Sequence, residues 1–160
     1  MQKHKKYKGY PIFKLENRKW CDKIPYKAPI WASTDLRDGN QALANPMDIE
    51  QKIAYFKLLL FMGFKEIEVA YPSASETEFT FCRRLIEEGL VPNDVAIGVL
   101  TPSIERHIKR SFEALQGAKK IIMHLYNPTA ANQREVVFKR TKKEIRSEEH
   151  TSELQSPNTI

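Results

Sequence analysis

Residues 63–78 read GFKEIEVAYPSASETE, and they contain one complete structural transition. Gly63 closes a helical pattern, because a residue without a Cβ tolerates the left-handed conformation at a helix end. KEIEVAYP, residues 65–72, reads as a strand, with the Glu68 carboxylate set among the apolar Ile67, Val69 and Ala70. Ser75 and Glu78 then stand in capping-box spacing, which predicts a new helix running to Gly89. A helix stop, a strand and a helix start within 16 residues leave room only for short loops.

The same unit recurs on either side. APIWASTDL, residues 28–36, reads as a first strand, and residues 48–62 place Ile49, Ile53, Phe56 and Leu60 at helical spacing. VAIGVLTP, residues 95–102, is a third strand, with a helix from about Ser103 to Gln116 before Gly117. KKIIMHLYNP, residues 119–128, is a fourth strand, and QREVVFKRTKKEI, residues 133–145, reads as the start of a fourth helix. Strand-to-strand intervals of about 35, 29 and 25 residues suit βαβ units. Alternating strands and helices with short loops predict a parallel sheet. Two architectures satisfy this: an open doubly wound sheet, or part of a (β/α)8 barrel.

The polar residues choose between them. Asp35, Arg37 and Asp38 end strand one, Glu68 lies near the end of strand two, and His124 near the end of strand four. Barrel enzymes gather their reactive groups at that end of the strands. No glycine-rich phosphate loop follows strand one, which removes support for a nucleotide-binding open sheet. The expected fold is therefore the first half of a (β/α)8 TIM barrel, about four βα units, since a whole barrel needs about 250 residues.

Composition sets the remaining bounds. The 160 residues carry a net charge of +6, yet residues 1–27 hold nine Lys or Arg against two Asp or Glu. The basic excess belongs to an N-terminal arm, residues 1–28. That arm is read as an extension packing on a partner subunit. The alternative, a nucleic-acid-binding module, would bind phosphate backbones through it. No apolar run reaches the roughly 20 residues of a membrane span, and no signal peptide opens the chain. A cytoplasmic protein without membrane contact is expected. Cys21 and Cys82 match neither a disulfide framework nor a zinc spacing.

The ends and the site have chemical readings of their own. Glu68 in an apolar strand needs a facing cation, because burying an unpaired charge costs several kcal/mol. A carboxylate, an arginine and an imidazole at one end of a sheet suit an oxyanionic substrate held on a hard divalent cation. Arg146 to Ser156 match, codon by codon, the translation of a common sequencing-adapter oligonucleotide. Residues 146–160 are therefore expected to be a non-native tail, with the barrel half spanning 29–145.

DLRDGNQAL, GFKEIEVAYPSASETEFTF and HLYNPT closely resemble the 2-isopropylmalate synthase family, from about Trp20 to Ile145. The resemblance implies a (β/α)8 barrel acyltransferase of leucine biosynthesis. Such an enzyme condenses acetyl-CoA, its co-substrate, with 3-methyl-2-oxobutanoate, on a divalent metal ion (Mg, Mn or Zn), and a homodimer is implied for the full-length protein. By position, Asp38 is the implied metal ligand. Arg37 is the implied binder of the 2-oxo oxygen, and Glu68 the residue orienting Arg37. His124 and Gln41 are implied in holding the oxoacid. Homocitrate or citramalate synthase would use the same Asp-Arg pair on another oxoacid. Two departures bear on substrate preference: Ala70-Tyr71 stands where the family has Gly-Phe, and Pro102 where it has Gln. The family's paired histidine ligands and the second half of the barrel are not found in these 160 residues. The chain as written is expected to be inactive and poorly soluble, and CoA release from acetyl-CoA and 3-methyl-2-oxobutanoate by soluble material would overturn that expectation.

Overall fold

The computed structural model describes residues 28–147 together with Glu16. The basic arm (residues 1–27), Cys21, and residues 148–160 with His150 lie outside the described residues. Four parallel strands, β1 (Ala32–Ser33), β2 (Glu66–Ala70), β3 (Ala96–Pro102) and β4 (Ile121–Tyr126), line up in the order β1-β2-β3-β4. Helices α1 (Ile49–Phe61), α2 (Glu76–Glu87) and α3 (Glu105–Leu115) alternate with them. Each new strand joins the outer edge of the one before, with no reversal of order. Right-handed crossovers then put every helix on one face, and among the described residues there is no switch point of the kind a doubly wound sheet needs. This is the winding of half a (β/α)8 barrel, as the sequence implied.

The core lies between sheet and helices. Ile67 and Val69 of β2 and Ile97 and Val99 of β3 point into it and are buried. They meet Phe56 and Leu59 of α1, Phe81 and Leu85 of α2, and Leu115 of α3. Thr101 belongs to the same face: its hydroxyl lies 2.6 Å from that of Ser111 on α3 and 3.2 Å from Met123 Sδ. Period-two alternation sends the remaining strand residues to the opposite, inner face. These are Glu68 on β2, Gly98 and Leu100 on β3, and Ile122, His124 and Tyr126 on β4, held in step by the pairings Glu68↔Gly98 and Leu100↔His124.

Three predicted helix stops are Gly63, Gly89 and Gly117, at φ of 92°, 64° and 91°. In each case the residue that the left-handed conformation requires is present. Other expectations change. The first strand shrinks from residues 28–36 to Ala32–Ser33, because only Ala32↔Glu66 and Ser33↔Ile67 pair. After them the carbonyl of Thr34 receives the amides of Arg37, Asp38 and Gly39 and winds the chain into a π-helical turn, Asp35–Gly39. The buried stripe of α1 is Lys52, Ile53, Phe56 and Leu59, while Ile49 and Leu60 are only partly covered.

The continuous helix expected over 133–145 is broken in two. Gln133–Val137 forms a π-helical turn, Lys139 sits at φ 51°, and a new helical stretch begins at residue 142. Val136 and Val137 are β-branched and exposed, so the segment has neither the propensity nor the buried stripe that would sustain an α-helix. Thr141 and Glu144 cap the second piece reciprocally: the Thr141 amide donates to Glu144 Oε2 at 2.7 Å, and the Glu144 amide to Thr141 Oγ1 at 3.3 Å. The Thr141 amide, and then the Thr141 hydroxyl donating to the same oxygen at 2.7 Å, hold the Glu144 carboxyl below its ordinary range.

The N-terminus of α1 carries a full capping box. Asp48 Oδ1 accepts from the Gln51 amide at 2.8 Å, and Gln51 Oε1 from the Asp48 amide at 3.0 Å. Asp48→Ala is expected to cost about 1 kcal/mol, read as a lower urea midpoint with an unchanged slope.

Candidate active site

The stretch S-T-D-L-R-D-G-N, residues 33–40, is positioned by its own hydrogen bonds. Ser33 Oγ donates to Asp35 Oδ2 at 2.6 Å, and Leu36 is completely buried beneath the turn. Asn40 is buried and accepts the Met47 amide at 2.7 Å, which pins the loop leading to α1. With Leu36 driven inward, Arg37 and Asp38 emerge at the C-terminal end of β1.

Arg37 Nε donates to Glu68 Oε1, and Arg37 Nη1 to Asp38 Oδ1 at 2.8 Å. The second oxygen of Glu68 lies 3.0 Å from His124 Nδ1. Arg37 and Glu68 are 13% and 12% exposed, whereas Asp38 and His124 are open at 66% and 51%. The inner pair is thus a largely desolvated ion pair, and the outer two groups face solvent. The cation that Glu68 requires is Arg37.

β2 and β4 are not neighbours, and two strand spacings of about 4.8 Å separate them. Glu68 is paired on β3 with Gly98 and His124 with Leu100, so the Glu68 side chain crosses β3 diagonally and starts over a residue that has no side chain. A Cβ there would stand 3.4 Å from Glu68 Cα and 3.7 Å from its Cγ, and any longer side chain would occupy the carboxylate's path. Gly98 was not singled out as a site residue from the sequence. The available signal was a glycine inside an apolar strand, which marks a close approach.

Beside the pair opens a cavity of about 730 Å³, lined by Arg37, Gln41, Tyr71, Glu78, Leu100 and Tyr126 among others. Arg37 links the two regions. Asp38, Glu68 and His124 are not part of the lining, and Gln41 is. Of the departures from the family pattern, Tyr71 lines the cavity, while Ala70 is completely buried and does not. Its extra methyl therefore does not narrow the pocket. Burial, and then the hydrogen bond to Tyr126, push the Tyr71 phenol up from 10.0 to about 12. Pro102 ends β3, and the amide that follows it, that of Ser103, donates to Tyr126 O at 3.0 Å.

Glu78 departs from the capping-box expectation in an informative way. Its amide does donate to Ser75 Oγ at 3.3 Å. Its carboxylate does not return to the Ser75 amide and instead pairs with Lys52 and accepts the Tyr71 amide at 3.1 Å. Cys82 is buried, and desolvation followed by the Glu78 charge pushes its thiol up to about 12, which leaves it inert.

Asp38 offers a hard oxygen of the kind a divalent cation takes. Among the described residues no three His, Cys, Asp or Glu side chains converge as a metal site, so Asp38 fits as one ligand and not as a site. The cation available to meet an anion here is Arg37. Its guanidinium is fixed by two carboxylates and borders a cavity with an apolar wall at Leu100.

Removing one member of the buried pair leaves the other uncompensated. Glu68→Ala is expected to cost about 3 kcal/mol. Arg37→Ala in the same background is expected to restore part of that loss, a coupling readable from a double-mutant cycle in urea.

Comparison with known proteins places this geometry in a family. The chain is 56% identical over 144 residues to the 2-isopropylmalate synthase of Clostridium acetobutylicum, covering 90% of this chain and 26% of that one. It is 57% identical over 141 residues to the 2-isopropylmalate synthase of Schizosaccharomyces pombe, covering 88% and 24%. The chain spans about a quarter of the length of the curated relatives it matches. The HMGL-like family matches residues 28–154, a stretch that takes in all four strands and every residue of the Arg37–Glu68–His124 group, and the chain belongs to that family.

Proposed function

We propose that this chain carries the oxoacid-binding side of a 2-isopropylmalate synthase, an acyltransferase that joins acetyl-CoA to 3-methyl-2-oxobutanoate. The observation that carries the reading is the Arg37 guanidinium, anchored by Glu68 and Asp38 at the mouth of β1 and bordering the cavity. The names of the relatives agree with it.

The chemistry follows from where charge develops. The enolate carbon of acetyl-CoA forms a bond to C2 of the oxoacid, and the C2–O π electrons move onto oxygen. Arg37 stabilises the resulting alkoxide. Its side chain is fixed by Glu68 before substrate arrives, so little reorganisation is needed as charge appears. Glu68 acts through Arg37 and is a positioning residue, while His124, on the other oxygen of Glu68 and outside the cavity lining, would bear on the oxoacid through Glu68. Gln41 supplies an amide to the cavity wall. Water then cleaves the thioester, releasing CoA and 2-isopropylmalate. Asp38 is the ligand this chain would contribute to a divalent metal, which when bound would polarise the ketone. Assembly as a homodimer belongs to the same reading.

The cavity bears on the choice of oxoacid. Among the described residues Arg37 is its one cationic lining residue, while Asp48 and Glu78 are acidic ones. A dicarboxylic oxoacid, as homocitrate synthesis requires, would bring a second negative charge toward those groups. A branched alkyl group meets Leu100 and Met47 without that cost.

The test uses the natural reading frame that contains this sequence. CoA release is expected to favour 3-methyl-2-oxobutanoate over 2-oxoglutarate and pyruvate. Arg37→Ala is expected to lower kcat about 10²- to 10³-fold. A preference for 2-oxoglutarate, or an Arg37→Ala enzyme keeping most of its activity, would overturn the proposal.

A further inference from the structure

Lys52 is completely buried on the inner stripe of α1. Its ammonium pairs with Glu78 on α2 and lies 5.1 Å from the centroid of the Phe81 ring. Burying such a pair brings little stability, because desolvation of both ions offsets their attraction. A methionine at position 52 would serve the core about as well, so core packing alone does not account for the lysine.

The geometry around Glu78 does. One carboxylate oxygen takes Lys52, and the other accepts the amide of Tyr71 at 3.1 Å. Tyr71 is the first residue beyond β2, and its carbonyl accepts the Ala74 amide at 2.9 Å, closing the turn toward α2. Both Tyr71 and Glu78 line the cavity beside Arg37. A carboxylate at a cavity wall can swing toward water. One oxygen tied to a buried ammonium cannot do so without stranding that ammonium in the core.

We propose that Lys52 and Glu78 are a positioning pair: they clamp the Tyr71 backbone at the end of β2 and so set the place of the Tyr71 ring and the width of the cavity. The cavity's role as an oxoacid pocket rests on the function proposed above, whereas the clamp itself does not.

Two double variants, made in the natural protein whose reading frame contains this sequence, separate positioning from stability. Lys52→Met with Glu78→Gln removes both charges and keeps an amide oxygen for the Tyr71 amide. Lys52→Met with Glu78→Leu removes both charges and the acceptor. In hydrogen exchange followed by NMR, the Tyr71 amide is expected to exchange at least tenfold faster than wild type in the Met/Leu variant. In the Met/Gln variant it is expected to stay within about threefold. Equal exchange in the two variants would overturn the clamp. If the Met/Leu chain does not fold, Glu78→Ala in the Lys52→Met background carries the same comparison. Titration with 3-methyl-2-oxobutanoate is expected to show at least fivefold weaker binding without the acceptor and wild-type binding with the glutamine. Binding that is equal in both would overturn the link from clamp to cavity. A wild-type chain that binds no oxoacid would count against the proposed function, and the exchange comparison would still decide the clamp.

Discussion

The Arg37–Glu68 ion pair is the contact on which the arrangement of the site depends. β1 is two residues long, and its pairing with β2 alone would fix the following turn poorly. The pair joins that turn to the middle of β2 through two groups largely removed from water. Each partner makes the other tolerable: without the guanidinium the carboxylate would be an unpaired charge in a strand, and without the carboxylate the guanidinium would lose its anchor. Other features follow from it. Gly98 leaves the space beside Glu68 open, a Cβ there already standing in contact with it, and His124 lies on the inner face of β4, where it meets the second oxygen.

The winding of the sheet was legible because it is written in local rules. Gly63, Gly89 and Gly117 stop helices through a backbone conformation that glycine alone adopts at little cost, and three such stops at βα intervals announce the alternation, which the polar strand ends then narrow to a barrel. Of the site, Arg37, Asp38, Glu68 and His124 could be found because charged groups at strand ends are expensive and therefore conspicuous. Gln41 reached the list through family resemblance.

What was not legible depended on tertiary partners. Strand one looked longer than it is because Ile30 and Trp31 are good strand residues, yet β2 offers pairing only to Ala32 and Ser33. The helix predicted over 133–145 failed because its valines find no surface to cover among the described residues. Lys52 would be read as solvent-facing from its charge, and its burial is intelligible only once Glu78 is placed 26 residues away on another helix. Glu78 is the sharper case. The spacing from Ser75 correctly marked a helix start, but the same side chain had a second use that spacing cannot express.

The two buried ion pairs divide the labour of the cavity's walls. Arg37 faces it as a cation and is held by carboxylates, while Glu78 faces it as a carboxylate and is held by a cation. In each pair the member facing the cavity is restrained by a partner outside its lining, Glu68 in one case and Lys52 in the other. A charge restrained in this way keeps its direction when the cavity fills, since turning away would strand its partner in a poorly solvated place. On the function proposed above, the fixed Arg37 guanidinium is the group that meets the oxoacid's oxygen, and Tyr71 and Leu100 are the walls left for its alkyl end.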